Sequence, residues 1–320
     1  MSDIAVLGAG AFGTSLALAL SLNGADVTLW SRDEAIADTM RKTRMSPPRL
    51  PGFALPASLS ISNDLNALKS TTLLIAVPMQ SLSGFLDAAP NWTNRTLVAC
   101  CKGIDRTTGL GPIATLRKSR PASQVALLTG PSFAADIARG LPTALTLAAD
   151  TDALARALQA QLSRPALRLY RTADTIGAEL GGALKNVIAL AAGMAIGTGF
   201  GDSARAAVIA RGFAEMTRYA ISKGAEPDTL QGLSGLGDLV LTCTSEKSRN
   251  FTAGCAFGRG ELPDRTSTIE GIATAEALAH EASRHALDLP ITLAVNAVAS
   301  GKMDVANAVD ALLARPPKQE

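Results

Sequence analysis

Aromatic side chains are scarce in this 320-residue chain: Phe, Tyr and Trp together make up 4% of it. So few rings leave little platform for stacking bases, which argues against a reader of single-stranded nucleic acid. A dominant charge is missing too. Thirty Lys and Arg stand against 28 Asp and Glu, a formal net charge of +2. Such a balance makes no field to steer the chain onto DNA or an anionic membrane. Cysteine is sparse, and Cys100, Cys101, Cys243 and Cys255 form no C-x-x-C pair and no regular framework. Reduced thiols in a cytoplasmic compartment are expected, with no metal site. The uncharged stretch Asn186 to Gly201 falls short of the roughly 20 apolar residues a membrane span requires. No basic segment precedes the first apolar run, as it would in a signal peptide. These absences predict a soluble cytoplasmic protein with no nucleic-acid partner and no membrane insertion.

What is present is core-forming material. Apolar residues make up 47% of the chain and charged residues 18%, enough for two domains with cores of their own. Short β-rich runs at Ile4–Leu7, Val27–Trp30, Leu73–Val77, Thr96–Cys100, Val125–Thr129, Ala144–Leu147 and Leu167–Tyr170 alternate with helical patterns such as Gly13–Asn23 and Asp33–Thr43. Strand, helix, strand at this spacing predicts parallel βαβ units. Pro47, Pro48, Pro51 and Pro56 make residues 46–58 an extended loop. After about residue 174 the strand signal stops, and Ala, Leu, Glu and Arg recur at helical spacing between Gly-rich breaks at 197–201 and 232–237. The expected architecture is an α/β Rossmann-like N-terminal domain, residues 1–177, followed by an all-α C-terminal domain, residues 178–320.

Gly8, Gly10 and Gly13 stand in a G-x-G-x-x-G pattern that follows a buried strand and opens a helix. Gly8 permits a tight turn, Gly10 lets a pyrophosphate approach the backbone, and Gly13 lets helix and strand close together. The helix N-terminus offers N–H groups and partial positive charge to that pyrophosphate. At the end of the second strand come Ser31, Arg32 and then Asp33. Arginine there suits a 2′-phosphate, so NADP(H) is expected to bind, with or without NAD(H).

Lys185 is the lone charge between Glu179 and Asp202. On a helix its neighbours one turn away are Gly181, Gly182, Ile188 and Ala189, a small apolar face on which the two glycines would leave room for a substrate. Lys102 follows the strand at 96–100 and should point into the ligand crevice at the carboxyl edge of the sheet, as should the turn at Gly130. Asp238 sits in a Gly/Leu/Val-rich stretch, costly for a carboxylate without a partner, and Thr242 shares its helical face. Ser248, Arg249 and Asn250 are group types that hold a phosphate or carboxylate.

These residues carry a resemblance. Gly8 to Thr14, Leu50 to Gly52, Cys101 to Ile104, Gly130 to Ala134, Gly140 to Thr143, Gly181 to Asn186, Gly235 to Thr244, Ser248 to Asn250 and Ile269 to Gly271 resemble, in order and over the whole chain, the bacterial NAD(P)-dependent sn-glycerol-3-phosphate dehydrogenases. The chain departs from them in Cys101, where threonine is usual, in Asp136, where glutamate is common, and in lacking a tyrosine before Leu50.

The resemblance implies reversible reduction of dihydroxyacetone phosphate to sn-glycerol 3-phosphate, the backbone precursor of phospholipids. It implies that Lys185 donates and accepts the proton, with Lys102, Asp238 and Thr242 around it. Gly130, Ser132, Ser248, Arg249 and Asn250 would join Lys102, Lys185 and Asp238 as substrate contacts. Ala11, Phe12, Arg32, Lys102, Ala134, Arg249, Thr268 and Glu270 would join the three glycines of the turn as cofactor contacts. The partner implied is a triose phosphate. A homodimer is expected by analogy with other two-domain enzymes of this shape. The rivals are a two-domain dehydrogenase acting on an unphosphorylated keto acid and a nucleotide sensor without chemistry. The polar run 248–250 argues against the first, and Lys102, Lys185 and Asp238 together argue against the second.

Overall fold

The computed structural model describes residues 3–264 and 269–314. The first part of the chain runs β1 (Ile4–Leu7), α1 (Ala11–Ser21), β2 (Val27–Trp30), α2 (Glu34–Thr43), β3 (Leu59–Ser62), β4 (Thr72–Ile75), α3 (Met79–Ala88), β5 (Thr96–Ala99), α4 (Pro112–Ser119), β6 (Gln124–Thr129), α5 (Ala134–Ala138), β7 (Thr143–Ala149), α6 (Asp152–Leu162) and β8 (Leu167–Thr172). The eight strands form one sheet in the order β3-β2-β1-β4-β5-β6-β7-β8. All neighbouring strands except β6 and β7 run parallel, Ile4 facing both Val27 and Thr72.

Burial on both faces explains the continuous apolar runs. Ile4 and Val6 point into one layer with Leu16, Leu20, Met40 and Leu158, while Ala5 and Leu7 point into the other with Leu82, Leu86, Ile113 and Leu116. The α/β half is therefore the expected one, and seven of the eight strands lie within two residues of their expected bounds.

Two features correct the sequence reading. β3 was not expected; as an edge strand with one neighbour and partly exposed side chains, it lacks the apolar signature of a central strand. The pair β6–β7 is antiparallel, Ala126 facing Ala149. The only helix between them, α5, has five residues and rises about 7.5 Å. A six-residue strand spans about 20 Å, so that helix cannot carry the chain back to the strand's starting edge.

The rest is helical: α7 (Thr175–Gly197), α8 (Gly201–Ser222), α9 (Pro227–Gln231), a π turn at Leu233–Gly237, α10 (Asp238–Cys243), α11 (Arg249–Gly258), α12 (Glu270–His285), α13 (Pro290–Ala299) and α14 (Val305–Leu313). The glycines at 232–237 do not break the chain as expected; they wind it into a π turn that runs directly into α10. Compactness divides the chain into one unit of residues 1–102 with 112–178 and another of 103–111 with 179–320.

α7 is long and apolar enough, by length and composition, to cross a membrane, with mean hydropathy 1.5 over its most apolar window; 83% of that window is buried inside the protein. It is the central core helix of its unit, and α11 crosses it backbone to backbone. A Cβ on Gly193 would lie 2.1 Å from the Phe251 carbonyl oxygen, and one on Gly254 would lie 2.2 Å from that of Leu190.

Candidate active site

The glycine turn comes first in the chain. Gly8 has φ +120°, a conformation L side chains rarely adopt, and a Cβ there would stand 2.7 Å from the Ala76 carbonyl oxygen. A Cβ on Gly13 would stand 2.0 Å from the Gly8 carbonyl oxygen, which is how α1 closes onto β1. A Cβ on Gly10 would meet no atom within 4 Å. Gly10 is the N-cap of α1, and no side chain there accepts from the first-turn N–H groups. Ala11 and Phe12 open that helix and are half-buried.

The other N-terminal residues lie at the same carboxyl edge of the strands. Arg32 is exposed two residues past β2. Its neighbour Asp33 is committed elsewhere: its Oδ1 accepts from Ile36 N at 3.1 Å and caps α2. Lys102, past the end of β5, donates from Nζ to the Gly130 carbonyl oxygen at 2.9 Å. Gly130 has φ +123° and would carry a Cβ 3.2 Å from the Leu145 Cα. Ser132 is half-buried beside it, and Ala134 begins α5.

In the helical unit Lys185 is 7% exposed, Asp238 1% and Thr242 5%. Lys185 Nζ donates to Asp238 Oδ1 and to Thr242 Oγ1, each at 2.7 Å. Thr242 Oγ1 donates its own hydrogen to the Asp238 carbonyl oxygen at 2.6 Å, leaving a lone pair for the lysine. A buried charge is tolerated when paired and hydrogen-bonded, and this arrangement directs two of the three ammonium donors. The room expected over Gly181 is not there. A Cβ at that position would lie 2.7 Å from the Ser234 carbonyl oxygen, so the π turn fills the space.

Ser248, Arg249 and Asn250 diverge. Ser248 Oγ accepts from Phe251 N at 3.2 Å and caps α11. Arg249 is exposed at the first position of that helix. Asn250 turns inward: Nδ2 donates to Asn186 Oδ1 at 3.0 Å, and Oδ1 accepts from Gly271 N at 3.0 Å. Asn186 received no role from the sequence, and only its place beside Lys185 hints at this link between α7, α11 and α12. Glu270 is the first residue of α12; Thr268 lies outside the described residues.

Sequence reasoning also passed over Glu215, 2% exposed on α8. Its carboxylate accepts from Ile291 N, Thr292 N and Thr292 Oγ1 at 2.7–2.9 Å and so caps α13. Burial pushes its pKa above the usual 4.5, against those hydrogen bonds and Arg218, which pull it down. The available signal was Leu289 standing where a capping side chain belongs, before Pro290. All four cysteines are free. The Cys243 thiol, next to Thr242, is pushed up to about 12 by burial, so it stays protonated. Among the described residues no cluster of His, Cys, Asp or Glu is placed to hold a metal.

Comparison with known proteins adds three findings. Residues 3–155 match the family model of the NAD-dependent glycerol-3-phosphate dehydrogenase N-terminus, and residues 174–310 that of the C-terminus. The chain is 55% identical over 320 residues to a glycerol-3-phosphate dehydrogenase (NAD(P)+) of Ruegeria sp. (strain TM1040), covering 99% of this chain and 100% of that one. A crystal structure of glycerol-3-phosphate dehydrogenase from Coxiella burnetii superposes with a TM-score of 0.90 at 34% identity, covering 98% of each chain.

Proposed function

The chain belongs to the NAD-dependent glycerol-3-phosphate dehydrogenase family, and on that premise we infer that it interconverts dihydroxyacetone phosphate and sn-glycerol 3-phosphate with NAD(P)H. The product supplies the glycerol backbone of phospholipids. The observation that carries the mechanism is the buried contact of Lys185 with Asp238 and Thr242 at 2.7 Å.

The glycine turn fits a dinucleotide. The packing of the chain itself demands glycine at positions 8 and 13, whereas at position 10 a side chain would project into open space. The small residue at 10 and the uncapped N–H groups of α1 suit a pyrophosphate. Gly8, Gly10, Ala11, Phe12 and Gly13 would hold it, with Arg32 on a 2′-phosphate and Lys102, Ala134, Arg249, Thr268 and Glu270 as further contacts. When bound, a nicotinamide there would supply hydride chemistry for the ketone carbon.

The chain's own residues bind, orient and move the proton. Asp238 and Thr242 hold the ammonium of Lys185, which protonates the ketone oxygen as its charge develops; in oxidation the neutral amine takes the proton back. Arg249 presents a planar fork of donors to the substrate phosphate. Lys102, Gly130, Ser132, Ser248 and Asn250 are assigned to the rest of the substrate. Residues 1–177 carry the dinucleotide turn and most of the cofactor contacts, and 178–320 carry the proton-transferring lysine and the phosphate-binding arginine. Lys102, Gly130 and Ser132 reach the substrate from the first part, and Arg249, Thr268 and Glu270 the cofactor from the second. The protein works in the cytoplasm, as a homodimer.

The test is an absorbance assay of NADPH and NADH oxidation with dihydroxyacetone phosphate, and of the reverse reaction with sn-glycerol 3-phosphate. Turnover is expected with both. Turnover of ketopantoate in place of dihydroxyacetone phosphate would overturn the substrate assignment.

A further inference from the structure

One turn from Lys185, backbone meets backbone. Gly181 precedes Lys185 by one turn on the same face of α7, and Ser234 precedes Asp238 by four residues in the segment alongside. A Cβ on Gly181 would stand 2.7 Å from the Ser234 carbonyl oxygen and 3.2 Å from the Gly235 Cα. The two backbones touch at 181 and 234, and one turn further on the lysine and aspartate meet at 2.7 Å. Ser234 belongs to the π turn, closed by Gly237 N donating to the Gly232 carbonyl oxygen at 3.0 Å. Gly235 is folded so tightly that a Cβ there would fall 1.9 Å from the Leu230 carbonyl oxygen. A π turn holds one residue more than an α turn, which resets the rotation at which the following helix starts. The residue that starts it is Asp238.

We propose that Gly181 and the π turn seated on it are positioning elements, fixing how closely Asp238 approaches Lys185. This rests on reading Lys185 as the proton donor and acceptor. A methyl group at 181 has to displace the Ser234 carbonyl, because backbone rather than a side-chain tip stands in its way. Asp238 then withdraws with the turn. Two further ionisable groups share these surroundings, and neither replaces it. Cys243 of α10 keeps its proton, and Arg205 of α8 acts on the same surroundings with a charge of the lysine's own sign.

The experiment compares Gly181→Ala with Gly193→Ala in the full chain. Both set a Cβ against backbone, at 2.7 Å from the Ser234 oxygen and 2.1 Å from the Phe251 oxygen, so both lower Tm, but only the first contact adjoins Asp238. Gly181→Ala is expected to bind NADPH, to lose about tenfold or more in kcat, and to move the lysine limb of the pH profile down by about one unit or more. That is the direction for a buried ammonium losing its carboxylate. Gly193→Ala leaves the limb in place, and adding Gly181→Ala to Asp238→Asn moves it no further.

A folded Gly181→Ala enzyme with the wild-type limb overturns the inference, as does an added shift in the Asp238→Asn background. If Gly181→Ala does not fold, deletion of Leu236, which is 37% exposed, replaces it. That change makes an α turn and rotates Asp238 by about 100°; the same limb shift is expected, and an unmoved limb overturns the proposal. Near wild-type kcat in Lys185→Met would instead bring down the lysine reading itself.

Discussion

Lys185 and Asp238 lie 53 residues apart in sequence and form a buried ion pair at 2.7 Å. Breaking such a pair leaves an uncompensated charge in the interior, so each partner is informative to remove. Lys185→Met keeps length and apolar packing and removes the proton. NADPH binding should persist while kcat falls by roughly 10²–10⁴-fold, the usual contribution of a positioned acid or base. Stopped-flow single turnover checks that the chemical step is what slows.

Arg249 stands exposed at the first position of α11, with its fork assigned to the substrate phosphate. Arg249→Ala should lose most of its activity on dihydroxyacetone phosphate and little on dihydroxyacetone. Arg249→Lys should remain impaired, because an ammonium lacks the paired planar donors. Equal losses on the two substrates would rule the phosphate role out.

We assign the exposed Arg32 to a 2′-phosphate, while its neighbour Asp33 caps α2. A charge-assisted contact contributes about 1.5–3 kcal/mol, so Arg32→Ala should raise KM for NADPH tenfold or more and change KM for NADH much less. Steady-state kinetics with both cofactors decides, and parallel changes would refute the assignment.

Glu215 makes a pH-dependent prediction. Burial raises its pKa above 4.5, so the folded state keeps this proton to a higher pH than the unfolded chain does. The carboxyl's contribution to stability is therefore greatest below 4.5 and declines as pH rises through the raised value. Glu215→Gln removes the titration, so the Tm advantage of wild type over the variant should shrink as pH rises from about 4 to 7. Thermal unfolding across that range checks the sign; an advantage that grows with pH would show that the α13 N–H groups outweigh burial.

Much of this was legible because it was local. Gly8, Gly10 and Gly13 answer to a turn of a few residues, and strand and helix periods follow from burial on two faces or one. Lys185 stood out through the absence of neighbouring charge. What was hidden depends on partners distant in the chain. Nothing near Gly181 announces that the carbonyl of Ser234 rests on it, so from sequence its bare Cα reads as substrate space. Asn250 reads as one more polar donor until Asn186 and Gly271 are found on either side. The direction of β7 turned on the length of α5, a matter of one or two turns of helix.

Where α7 and α11 cross, main chain rests on main chain at Gly193 and Gly254. The spacing between these two rods is thus written in peptide geometry, with no side chain between them to act as an adjustable shim. Lys185 rides on one rod and Arg249 begins the other. Drift among the surrounding aliphatic residues has little leverage on the span between them, whereas one added methyl at either glycine would wedge the rods apart.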